Sequence, residues 1–152
     1  RPERPGDRPD GGEEEEDEGG SHRLVELLSL PGVAAALAEG PPVWEQVSYL
    51  DDPMGPLEPM PVEELAEYIW IERDHGWAIG LGDELKPYLD LDVPEEDDPV
   101  VAVLKSHPAV ADAYHEDREV YRVEQRGPIS TEEFAELAAR ALVSHHVDAL
   151  RR

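Results

Sequence analysis

The chain has 152 residues, of which 39% are hydrophobic, and its formal net charge at pH 7 is −24. It has no cysteine, which excludes disulfides, thiolate metal sites and a cysteine nucleophile. A strongly negative surface repels nucleic-acid phosphates and anionic membranes, so we expect neither direct nucleic-acid binding nor a membrane partner. The same field favours association with a basic protein, although solubility alone is an equally simple reason for the charge.

Two further expectations follow from composition. The absence of cysteine is typical of a reducing compartment, and the sequence contains neither a signal peptide nor an apolar run long enough to span a membrane. We therefore predict a cytoplasmic protein. Arginine outnumbers lysine and Asn is absent, a bias that suggests a GC-rich bacterial coding background. The first residue is Arg1, which is compatible with a fragment of a longer chain.

Residues 1–20 form an acidic segment without apolar side chains other than proline. Its nine acidic residues and three arginines give it a charge of −6. Such a segment cannot bury enough surface to offset the entropy of ordering it. We predict a disordered tail or linker before the folded part of the chain.

The first predicted unit covers residues 21–87. Ser21 is a suitable helix N-cap, and the leucines that follow it recur at helical spacing. Residues 33–38 and 43–50 are predicted strands, and the proline-rich stretch 51–61 separates them from a helix that starts at Val62 and ends near Gly76. The sequence "GWAIGLG" then predicts a short strand.

The second predicted unit covers residues 88–152. The alternation in "YLDLDV" (88–93) predicts a half-buried strand, and Asp98-Pro99 forms an N-cap and first-turn pair for a helix. A strand hairpin follows. The last element is a long helix from Ser130 to about Leu150.

The two units align with each other, which suggests an internal duplication. A shift of 77 positions superposes residues 24–44 on residues 101–121 without a gap. "VEELAEY" (62–68) then matches "TEEFAEL" (131–137) after one loop deletion. Chance coincidence is the alternative, because Ala, Val and Glu are common in this chain. The identical pairs are Leu27/Leu104, Ser29/Ser106, Pro31/Pro108, Val33/Val110, Ala34/Ala111, Ala36/Ala113, Glu39/Glu116 and Val43/Val120.

We therefore predict an α+β fold made of tandem duplicated α-β-β-α units, each a ferredoxin-like half, that share one antiparallel sheet. Residues 21–152 would form one compact domain. Each copy lacks one strand of the complete motif, so the sheet either continues between the copies or leaves an edge open for a partner strand. The spacing "LxxLPGVxxA" before a hairpin and an "xxEEL" helix resembles heavy-metal-associated domains of the ferredoxin-like class. The metal-binding cysteine pair of that family has no counterpart here, so the resemblance implies a fold and no activity.

Five residues are candidates for an interface. His115, Asp117 and Arg118 lie at the predicted hairpin tip, where exposed polar side chains can contact a partner. Trp44 and Trp77 are interface candidates only if they are exposed, because burial in the core is the ordinary fate of tryptophan.

Other chemistry has little support in the sequence. The carboxylate clusters "PEEDDP" and "DLD" lack the spacing of an EF-hand, and solvated carboxylates bind divalent ions weakly. Adjacent His145 and His146 point about 100° apart on a helix, so we expect helix-dipole complementation near the C-terminus and no shared metal. We predict no catalytic residue, metal ligand or cofactor.

The sequence thus favours a non-catalytic interaction or accessory module that acts through an acidic surface, an open sheet edge or both. One alternative is an immunity-type acidic inhibitor of a basic toxin or nuclease. Another is a small divalent-metal-dependent enzyme or sensor that uses the carboxylates and His115.

Overall fold

A computed structural model describes residues 20–47, 58–73, 76–90, 92–117 and 119–151. The predicted acidic tail, apart from Gly20, and most of the proline-rich stretch lie outside the described residues. The strands are β1 (Ser21–Arg23), β2 (Val43–Trp44), β3 (Met60–Pro61), β4 (Ile69–Glu72), β5 (Trp77–Leu81), β6 (Val110–Asp117) and β7 (Val120–Gln125). The α-helices are α1 (Pro31–Ala38), α2 (Val62–Leu65), α3 (Pro99–Lys105) and α4 (Thr131–Leu150). Short 3₁₀ helices span Leu24–Leu27, Ala66–Tyr68, Asp83–Tyr88 and Glu95–Asp97.

Five strands form one antiparallel sheet in the order β1-β4-β5-β7-β6, and β2 pairs with β3 separately. The predicted α+β class is confirmed. The sheet takes β1, β4 and β5 from the first half of the chain and β6 and β7 from the second half. The division into units at residues 87 and 88 stays a prediction.

One face of the sheet and the helices enclose a single hydrophobic core. Side chains alternate along β4. Ile69 and Ile71 point into the core, whereas Trp70 and Glu72 are exposed on the other face of the sheet. Helix α4 packs against α1 and α3, and α3 packs against β6. The Trp77 ring stacks on Phe134 of α4 with centroids 4.4 Å apart, which ties the central strand to the long helix.

Helices α3 and α4 begin where the sequence predicts them. Asp98 caps α3 by accepting the Val100 N–H, and Pro99 occupies the first turn, where a missing N–H has no cost. Ser130 and Glu133 form a reciprocal capping box at the start of α4. The strand predicted from "GWAIGLG" is also present, as β5.

The predicted duplication is not confirmed, because aligned segments fold differently. Residues 33–38, a predicted strand, lie in α1, whereas residues 110–115, their alignment partners, lie in β6. Pro31 at the first turn and the alanine-rich segment favour a helix. Residues 110–115 instead pair with β7 as part of a hairpin. The tandem ferredoxin-like halves predicted from the sequence therefore stay unconfirmed.

Several other predicted elements were wrong in type or length. Residues 21–23 form a strand and a 3₁₀ helix replaces the predicted first helix. The predicted helix from Val62 ends after four residues and gives way to a 3₁₀ turn and β4. The predicted strand 43–50 is confined to β2, with residues 48–50 outside the described part. The predicted strand 88–93 is absent from its described residues, because Tyr88 ends a 3₁₀ helix and an irregular loop follows.

Candidate functional site

The Asp98 carboxylate is a buried hub that joins four elements. Oδ1 accepts hydrogen bonds from the Val100 N–H at 2.9 Å and from His145 Nδ1 at 2.9 Å. Oδ2 accepts from His115 Nε2 and from the Tyr121 hydroxyl, each at 2.7 Å. The carboxylate therefore links the start of α3 to β6, β7 and α4, with two donors on each oxygen.

The hydrogen bonds keep this carboxylate ionised. Burial alone would raise the pKa of Asp98, but hydrogen bonds from His145, Tyr121 and His115 outweigh it and lower the pKa to about 2. Burial and the neighbouring Asp98 charge raise the pKa of Tyr121 far above its ordinary value, so the phenol stays protonated as a donor. The α3 N-terminus adds a favourable dipole at the same carboxylate.

His145 has a defined tautomer. Its Nε2 accepts the backbone N–H of Asp90 at 3.1 Å, so that nitrogen carries no proton and Nδ1–H donates to Asp98. His146 lies on the next face of the helix, where it stacks on Trp44 with centroids 4.3 Å apart and interacts through Nδ1 with the Tyr88 carbonyl at 2.9 Å. The two histidines do face different partners, as their spacing predicts. Both are buried in specific contacts, which the sequence did not predict.

Of the residues predicted at the hairpin tip, His115 is the one whose contacts are defined in detail. Its side chain is 24% exposed, with Nε2 bound to Asp98 and the ring edge-on to Tyr121. Asp117 is exposed at the end of β6, and Arg118 lies outside the described residues. The structure thus places His115 and Asp117 on the same strand, with only His115 joined to the hub.

Trp44 and Trp77, the other predicted interface residues, are fully buried. Trp44 stacks on His146, and Trp77 packs between Phe134 and the Arg73 guanidinium. In the isolated chain these rings belong to the core and present no surface to a partner. Trp70, which was not predicted as an interface residue, is instead 40% exposed.

An acidic loop lies beside the hub. We use this name for Asp90, Asp92, Glu95, Glu96 and Asp97, which connect the 3₁₀ helix Asp83–Tyr88 to α3. A surface cavity of about 480 Å³ opens between this loop and the end of α4. The described residues that line it include no lysine or arginine; they are Asp90, Asp92, Val93, Pro94, Asp97 and Asp148.

The loop also covers part of the sheet edge. The His115 N–H donates to Glu95 Oε1 at 2.8 Å, and the Ala113 N–H donates to Asp112 Oδ1 at 2.9 Å. Strand β6 contains two register shifts as well. Carboxylate caps and bulges are features that prevent an edge strand from pairing with another chain.

Sequence reasoning identified Asp98 as a cap but missed its role as a hub. One signal was present: His145 follows Phe134, Ala138 and Ala141 at the three- and four-residue spacing of the buried α4 face. A histidine on such a face requires a buried partner. Nothing local in the sequence indicates that this partner is a residue 47 positions away.

The described part of the chain lacks two features, a metal-binding cluster and a membrane-spanning helix. There, no group of three or more His, Asp or Glu side chains is arranged to hold a metal ion. Likewise, none of the described helices combines the length and apolarity needed to cross a bilayer.

Comparison with known proteins gives no relative from which a function could be transferred. No protein-family model, no curated protein and no solved structure matches this chain.

Proposed function

We propose that this chain is a non-catalytic interaction module that binds a basic protein through the acidic loop and the adjoining end of α4. The observation that carries the proposal is the cavity lined by four aspartates without a basic lining residue among those described. A lysine or arginine side chain from a partner has the charge and the length to enter such a cavity.

The charge balance of the surface supports the same partner class. The described residues include 25 Asp and Glu but only eight Lys and Arg. Most of these cations pair with carboxylates away from the acidic loop: Arg23 with Glu26, Lys86 with Asp83 and Glu119, Lys105 with Asp112, Arg122 with Glu116, and Arg140 with Glu39 and Glu136. The excess of carboxylates over cations gives a negative field that accelerates encounter with a basic partner and falls off with salt.

Strand addition at the sheet edge is the less favoured route to a partner. The outward N–H groups of Ala113 and His115 on β6 are already bound by carboxylates. The opposite edge is β1, which has only three residues and offers a short ladder. The acidic surface is thus the better supported of the two routes predicted from the sequence.

An acidic inhibitor of a basic toxin or nuclease is a narrower form of the same proposal. It requires the same surface, together with tight and salt-sensitive binding that blocks the basic site of the partner. The geometry of the loop supports a basic partner for both forms of the proposal.

The test uses a lysine-rich peptide as a defined basic probe and measures its affinity by titration calorimetry from low to high salt. A triple variant, Asp92→Asn, Glu96→Gln and Asp97→Asn, neutralises exposed positions of the loop. The matched control neutralises three exposed acids near α2, Glu63→Gln, Glu64→Gln and Glu67→Gln. We expect the loop variant to lose about tenfold or more in affinity and the control to lose much less.

Two results contradict the proposal. Equal losses in the two triple variants show that binding reflects total charge and not the loop. An affinity that stays constant across the salt range shows that charge does not drive binding at all.

A further inference from the structure

An apolar groove adjoins the aspartate-lined cavity at the end of α4. We use this name for a depression of about 380 Å³ whose floor is formed by Pro99, Val143 and Val147. Asp148 lines both the groove and the cavity beside the acidic loop, so the two depressions meet at one residue. A partner segment that places a side chain in the cavity therefore has the groove next to it.

The groove is formed by the packing of three helices before any partner arrives. Helix α4 packs against both α1 and α3. A Cβ atom at Gly40, just after α1, would lie 2.6 Å from Val143 Cγ1, so glycine lets the end of α1 approach α4 closely. Val143 itself is 5% exposed and belongs to the hydrophobic core. Because the core holds the floor in place, a side chain that docks there pays little for ordering the groove.

The charges around the two depressions favour different side chains. The aspartates of the cavity, without a basic lining residue among those described, favour a cation. The groove is bordered by Arg151 as well as by Glu39 and Asp148, so a cation placed there would meet a like charge. Its valine and proline floor favours an apolar side chain, which gains free energy by leaving water.

We propose that the apolar groove takes an apolar side chain that neighbours the basic side chain on the same segment of a partner protein. One turn of α4, about 6 Å along the helix axis, separates Ser144 in the groove from Asp148 at the junction. Neighbouring side chains of a single segment span such a distance. This inference rests on the proposed function and narrows it from basic proteins in general to those whose binding segment is both basic and apolar.

The test compares two peptides of the same length and the same lysine content. One peptide has a leucine beside each lysine, and the other has a serine in each of those places. We expect the parent chain to bind the leucine peptide about tenfold more tightly in titration calorimetry, because one leucine side chain leaves water in the groove. Salt should weaken both peptides and leave this preference, since screening acts on charges and not on apolar contacts.

A variant that fills the groove shows where the preference arises. Ser144→Phe adds a ring inside the groove, and Ser144 does not line the cavity beside the acidic loop. We expect this variant to bind the serine peptide as the parent does and to lose most of the preference for leucine. The matched control is Ser29→Phe, which adds the same ring at an exposed position outside the groove and should keep the preference.

A second variant covers the case in which Ser144→Phe does not fold. Val147→Thr keeps the shape of the side chain and replaces one methyl group on the floor by a hydroxyl. We expect it to reduce the preference for the leucine peptide by about threefold. A preference that stays at the parent value in this folded variant contradicts the role of the groove.

The outcomes separate this inference from the proposed function. Equal affinities of the two peptides for the parent chain overturn the apolar groove and leave the basic partner in place. An equal loss of preference in Ser144→Phe and Ser29→Phe overturns it as well, because leucine then binds elsewhere. Failure of both peptides to bind overturns the proposed function and this inference with it.

Discussion

The imidazole of His145 in α4 and the carboxylate of Asp98, the residue that caps α3, are joined by a 2.9 Å hydrogen bond between two completely buried side chains. This bond, together with those from His115 and Tyr121, makes a polar centre inside an otherwise apolar packing of α3, α4 and the last hairpin. A buried carboxylate is tolerated only when its hydrogen bonds are satisfied, so removal of any one partner has a defined cost.

Asp98→Ala should be strongly destabilising. The substitution removes the α3 cap and leaves the buried donors of His145, Tyr121 and Val100 without their acceptor. We expect a loss of about 3–5 kcal/mol in the free energy of unfolding, measured by urea denaturation. The matched control is Asp97→Asn at the exposed neighbour, which should stay within about 0.5 kcal/mol of the parent. Similar stabilities for the two variants contradict the hub.

The contribution of Asp98 should disappear in strong acid. Its folded-state pKa is lowered from 3.8 to about 2, so its ionisation stabilises the fold above pH 4 and ceases to do so as the pH falls through the lowered value. The difference corresponds to about 2 kcal/mol. We expect the stability gap between the parent chain and Asp98→Asn to shrink between pH 4 and 2 in denaturation curves. A gap that is constant over this range contradicts the lowered pKa.

Tyr121 should resist deprotonation in the folded chain. Burial and the Asp98 charge both raise its pKa, so its phenolate should form only when the protein unfolds in alkali. The measurement is absorbance at the phenolate band during an alkaline titration, which follows the five tyrosines together. Tyr121→Phe should remove the step that coincides with unfolding and should cost about 1.5–3 kcal/mol, typical of a hydrogen bond to a charged group. Persistence of that step in the variant assigns it to another tyrosine.

The three tryptophans should differ in access to a neutral quencher. Trp70 is 40% exposed, whereas Trp44 and Trp77 are buried. Trp70→Phe should therefore abolish most acrylamide quenching of the emission and change stability by no more than about 0.5 kcal/mol. Trp77→Phe is the control, because it should retain the quenchable emission and lose stability through the disturbed stack on Phe134. Equal quenching of the two variants contradicts the sheet register that exposes Trp70.

Local sequence signals were sufficient for elements that carry their own caps. Ser130 and Glu133 satisfy each other across one turn, and Asp98-Pro99 begins a helix within three residues. These contacts are short in sequence, so they form in the same way whatever the rest of the chain does. The strand at 77–81 was equally readable from its apolar composition and flanking glycines.

Other elements depended on neighbours that are distant in the chain. Residues 69–72 continue a helical pattern in the sequence, yet they form a strand because β1 and β5 supply hydrogen bonds on both sides. The alignment of α1 with β6 failed for the same reason, since pairing with β7 determines the conformation of residues 110–117. Propensity is a weak guide where a sheet satisfies the backbone of its central strands.

Composition, net charge, the α+β class and the capped helices α3 and α4 could be derived from the sequence alone. The hub could not, because the packing of the hairpin and α4 on α3 is what brings Asp98, His115, Tyr121 and His145 together. A buried carboxylate needs donors arranged around it in three dimensions, and that arrangement is a property of packing and not of spacing along the chain.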